Sequence, residues 1–93
     1  ALERIEHALE VAPDMGHAHN TRAVILARQS RYEEAYRALE TAENYLPADP
    51  GVRLNMAIVR LLQGRRHEAT VIYQQVIDMD SRYEGMLDII KKQ

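Results

Sequence analysis

In this 93-residue chain the residues best suited to chemistry are its four histidines, since cysteine is absent. His17 and His19 offer two imidazoles two positions apart, with His7, His67 and Asp14 as candidate third ligands. A zinc-type site needs several ligands converging on one ion in near-fixed geometry. Two residues two apart on a helix point about 200° away from each other, so His17 and His19 do not share an ion if they open one. Nucleophilic chemistry fares no better. There is no thiolate, no G-x-S-x-G elbow, no P-loop and no H-E-x-x-H. Glu33, Glu34, Glu40 and Glu43 are spaced along one stretch as a solvated face, not as a converging acid–base pair. The expectation is a protein that is not an enzyme and needs no metal or cofactor.

Charge offers a second route to function. Arg60, Arg65 and Arg66 form the main basic cluster, with Arg31 lying 34 residues before Arg65, and Arg28 and Arg37 near Arg31. Asp and Glu outnumber Lys and Arg by 14 to 12, for a net charge of −2, so nucleic acid is not the expected partner. With 46% hydrophobic and 28% charged residues the composition is that of a globular domain. No apolar run approaches the roughly 20 residues of a membrane span. The opening stretch ALERIEHALEVAP is too charged for a signal peptide, which makes the expected compartment cytoplasmic, with the periplasm as the alternative.

What positions these residues is a repeat. Shifted by 34 residues, the chain superposes Pro13 on Pro47, Ala23 on Ala57, Gln29 on Gln63, Arg31 on Arg65, Glu34 on Glu68 and Ala35 on Ala69. A further copy enters from the left, with Ala1, Ile5, Ala8 and Val11 falling on Ala35, Leu39, Ala42 and Tyr45. Within each unit the apolar residues recur at helical spacing: Tyr32, Ala35, Tyr36, Leu39, Ala42 and Tyr45 form one stripe. The spacing predicts helices over 17–29, 32–45, 54–62, 69–79 and 83–90. Asp49 is placed to cap a helix opened by Pro50, and Gly64 to end it in the left-handed conformation. Ser30-x-x-Glu33 and Ser81-x-x-Glu84 read as capping boxes.

The 34-residue register and its small residues resemble the tetratricopeptide repeat, whose pattern runs W-x2-L-G-x2-Y…A-x3-F…P. The matching positions are His19, Arg22, Ala23, Leu26, Ala35, Leu39 and Pro47, then Arg53, Met56, Ala57, Arg60, Ala69, Tyr73 and Ser81. The close-approach alanines are kept. His19 and Arg53 stand where Trp is usual, and Arg60 where Tyr is usual. Asn20-Thr21-Arg22-Ala23 looks like the N-x-R-G variant of bacterial members.

The resemblance implies an all-α fold of six helices: a right-handed superhelix of stacked helical hairpins. Its parts would be residues 1–12 as the second helix of a truncated repeat, 16–47 and 50–81 as full repeats, and 83–92 as a capping helix. It also implies a groove lined by the first helix of each unit, where a peptide or helix of a partner protein binds. The groove residues would be Asn20, Val24, Arg28, Leu54, Asn55 and Ile58. Val24 and Ile58 stand where some members carry the Asn of a carboxylate clamp, so this groove reads as an apolar strip edged by Asn20, Asn55 and Arg28. Asn20 and Asn55 are the groups placed to hydrogen-bond a ligand's backbone. Arg22 should pair with Glu6 or Glu10. The first residues enter the register inside a second helix, which reads as the C-terminal part of a larger bacterial protein. The alternative function is self-association through Leu2, Ile5 and Leu9 on an uncovered first helix.

Overall fold

The computed structural model describes residues 4–6 and 16–83. Four helices dominate: α1 (Gly16–Arg28), α2 (Tyr32–Tyr45), α3 (Pro50–Leu62) and α4 (Arg66–Met79), followed by a 3-10 turn at Ser81–Tyr83. Residues 4–6 are also helical, and there is no strand among the described residues. The fold is all-α. Most of the expected first and last helices, with Leu2, Leu9 and Glu84, lies outside the described residues. Helices α3 and α4 each begin earlier than the apolar pattern alone indicates, because capping and turn geometry, not hydrophobicity, set their starts.

The three-residue connections 29–31 and 63–65 reverse the chain, giving two helical hairpins, α1/α2 and α3/α4. Each ends its first helix in the same way. The Ser30 N–H donates to the Ala27 carbonyl at 3.0 Å and the Arg31 N–H to Leu26 at 2.9 Å. In the second hairpin Gly64 donates to Leu61 and Arg65 to Arg60, both at 2.9 Å. This double bond pattern needs a left-handed residue. Gly64 has φ +80° and Ser30 has φ +62°. Ser30 is therefore a helix-ending residue, which corrects its expected role in a capping box. Arg31 occupies the N-cap position of α2 and makes no side-chain cap bond. Asp49 does cap α3, its carboxylate accepting from the N–H groups of Gly51 at 2.8 Å and Val52 at 3.4 Å, with Pro50 in the first turn.

Small residues set how closely the helices approach. Ala23, Ala35, Ala42, Ala57 and Ala69 are each at most 1% exposed. At Gly16 a Cβ would lie 2.7 Å from the Leu46 side chain, so the start of α1 sits directly on the end of α2. Leu26, Leu39 and Val52 belong to one apolar cluster that runs from α1 through α2 into α3. A smaller cluster of Ala57, Ala69 and Tyr73 lies between α3 and α4, and Ile72 packs against both. Helix α1 packs on α2, α2 on α3 and α3 on α4, while α1 also reaches α3. That last contact brings the two first helices side by side.

Candidate functional site

Between α1 and α3 lies a groove of about 410 Å³. Val24, Ala27 and Arg28 form its α1 wall, and Asn55, Ile58 and Leu62 its α3 wall. Tyr32 and Leu39 of α2 contribute to the floor, and Ser30 to one end. Its lining is largely apolar for a local reason: Val24 and Ala27, three apart, share one face of α1, as Ile58 and Leu62, four apart, share one face of α3. Leu62, at the mouth of the channel, is 51% exposed.

Of the residues expected in the groove, Val24, Arg28, Asn55 and Ile58 line it together. Leu54 does not: it is partly buried against the Ala57–Ala69–Tyr73 cluster, as is Leu61. One residue along α3 turns the side chain by about 100°, enough to move it from groove to core. Asn20 is also absent from the lining. Its Oδ1 accepts a hydrogen bond from Asn55 Nδ2 at 2.9 Å, tying α1 to α3. The two amides were expected to serve a ligand, but part of their hydrogen-bonding capacity is spent on each other. Ile5 is half-buried.

The cations sort into paired and unpaired. Arg22 Nε lies 3.7 Å from Glu6. Arg53 reaches from α3 to Glu43 on α2 and donates to Gln75 on α4 at 2.6 Å. Arg60 is the most enclosed, its side chain 15% exposed. Its guanidinium lies 3.5 Å above the Tyr36 ring, within 3.6 Å of Glu33 and 3.5 Å of Glu68. Gln63 completes this network, accepting from Arg60 at 2.7 Å and donating to Glu33 at 2.6 Å. So the expected basic cluster is divided: Arg60 is held, partly buried, against Tyr36 and two glutamates, and Arg65 lies 3.5 Å from Glu68. Arg28, exposed at the groove, makes no ion pair or hydrogen bond among the described residues.

His17 is exposed, and His19 stacks on Tyr45 with ring centroids 5.9 Å apart. Among the described residues no cluster of His, Asp or Glu is arranged to hold a metal ion. Hydrogen bonds from Arg31, at 3.0 and 2.6 Å, hold the Glu34 carboxyl below the usual carboxylate range. Arg82 does the same for Asp80. Burial pushes the Tyr73 phenol up. All three belong to the scaffold, away from the groove lining.

Sequence reasoning missed one feature that was open to it. Helices α1 and α3 contain no Asp or Glu, and carry Arg22, Arg28, Arg53 and Arg60. The acids lie on the second helices: Glu33, Glu34, Glu40 and Glu43 on α2, Glu68 and Asp78 on α4. A net charge near zero conceals this segregation, which counting charge helix by helix reveals. No helix among the described residues is long and apolar enough to cross a membrane. In comparisons with known proteins, no family model and no curated protein matches the chain.

Proposed function

We propose that this protein is a non-enzymatic interaction module that seats a peptide or helix of a partner protein in the α1/α3 groove. The observation that carries the reading is the open apolar channel itself, with Leu62 half exposed at its edge and Val24 and Ile58 in its walls. Apolar burial supplies the affinity and the polar rim sets the orientation, as in other helix-in-groove and extended-peptide sites. The 34-residue period, the two hairpins with matching turns and the side-by-side first helices support a tetratricopeptide-like stack. In that arrangement the segments at 1–12 and 83–92 extend a right-handed superhelix of six helices, and α1 and α3 line its inner face.

The test is selection of random 12-residue peptides, displayed between fixed flanks, against the immobilised protein and against a Val24→Ser/Leu62→Ser double variant. Peptides that depend on the groove should bind the double variant at least about tenfold more weakly, since two aliphatic side chains that the peptide would cover are lost. The melting temperature of the variant checks that the scaffold is intact. Selected peptides that bind both proteins equally would overturn the reading.

A further inference from the structure

We infer that the groove selects a segment with side-chain carboxylates beside its apolar anchors, an acidic amphipathic peptide, and that Arg28 reads the charge. The inference deepens the groove reading above and rests on it. Three observations point the same way. The helices that wall the groove, α1 and α3, hold no carboxylate at all. Three of their four arginines are already engaged on the scaffold: Arg22 with Glu6, Arg53 with Glu43, and Arg60 with Glu33 and Glu68. Among the described residues the fourth, Arg28, is the only charged residue in the groove lining, and it has no ion-pair partner there.

Three of the four carboxylates of α2 are engaged elsewhere. Glu33 faces Arg60 and Gln63, Glu34 is held by Arg31, and Glu43 by Arg53. A ligand entering the channel therefore meets an apolar wall and a single guanidinium fork, with no carboxylate among the described lining residues. A guanidinium takes a carboxylate through two parallel hydrogen bonds, which fixes orientation as well as adding affinity. A lysine-bearing ligand gains no partner there and places like charges together. The match is with an apolar residue seated against Val24, Ile58 and Leu62 and an aspartate or glutamate reaching Arg28 at the channel's edge.

The peptide selection of the previous section supplies the experiment, because its two readouts are separate. Sensitivity to Val24→Ser/Leu62→Ser reports whether the groove binds; the charge of the sensitive peptides reports what it prefers. We expect the groove-dependent peptides to be enriched in Asp and Glu, with every carboxylate a side chain because both ends are fixed. Measured singly by fluorescence anisotropy, such a peptide should lose about tenfold in affinity against Arg28→Glu and keep most of it against Arg28→Lys. Its binding should also weaken as salt rises, unlike that of a Gln-substituted copy. Groove-dependent peptides that are neutral or basic, or that bind Arg28→Glu as well as wild type, would overturn the charge preference while leaving the groove reading in place. A selection that yields no groove-dependent peptides would overturn both.

Discussion

The two hairpins share a backbone but not a chemistry. At the turn, Arg31 has φ −94° and ψ 66°, and Arg65, 34 residues later, has φ −93° and ψ 65°. The second helices also end alike, with the Leu46 N–H bonding Ala42 and the Asp80 N–H bonding Val76, both at 2.8 Å. Yet Leu26, fully buried in the larger cluster, is answered by Arg60, and Leu39 by Tyr73. His19, stacked on a tyrosine, is answered by Arg53, which bridges α2 and α4. The period sets the turns and the close approaches. Side chains then decide whether each seam is aliphatic or is stapled by charge.

Truncations at the paired core positions separate the hairpins most strongly. Leu39→Ala should cost about 3 kcal/mol and Tyr73→Ala about 4 kcal/mol, read as shifts in urea midpoint with unchanged slope. If both unfold in a single transition, the hairpins behave as one cooperative unit; two transitions would show that they do not. Tyr73 adds a pH signature. Its phenol is raised by burial, so its neutral form stabilises the fold below about pH 10 and that contribution is lost as pH rises through the folded value. Tyr73→Phe should flatten this alkaline loss.

Arg60→Ala tests the charged seam. Removing the guanidinium from Tyr36, Glu33 and Glu68 should cost about 2 kcal/mol, and added salt should narrow the gap to wild type. A variant as stable as wild type would show the network to be decoration. The turns should respond with opposite signs. Gly64→Ala places a Cβ at φ +80° and should cost about 1 kcal/mol, whereas Ser30→Gly relieves φ +62° and should gain at most about 0.5 kcal/mol. Thermal melts decide both.

The smallest effect concerns Glu34, whose carboxyl is lowered by Arg31. A lowered folded value means that this pair stabilises the fold above the usual carboxylate midpoint and that its contribution disappears as pH falls through the lowered one. In Arg31→Gln, the Glu34 carboxyl carbon should titrate in the ordinary range when followed by NMR; an unchanged low midpoint would rule out the hydrogen bonds as the cause.

Much of the architecture is legible in the sequence. The helix order, the Asp49 cap, the left-handed Gly64 and the pairing of Arg22 with an upstream glutamate follow from simple rules: spacing, capping chemistry and the cost of a lone charge; the sequence does not choose between Glu6 and Glu10 as that partner. Four of the six expected groove residues line one channel for the same reason, since helical periodicity places them on one face. Ser30 was misread because a Ser three before a Glu suits a capping box and a Schellman turn equally well, and only the backbone dihedral distinguishes them.

The sequence by itself determined the helices α1 to α4, the left-handed turn at Gly64 and the separation of charge between first and second helices, because these depend on near neighbours or on simple counting. Tertiary structure decided the rest. Whether Leu54 faces groove or core depends on how α3 is rotated against α4, and whether Asn20 meets Asn55 depends on the distance between α1 and α3. The placing of Arg60 over Tyr36 depends on the seam between hairpins. Such contacts join residues far apart in the chain, and their geometry is set by the packing of all four helices at once.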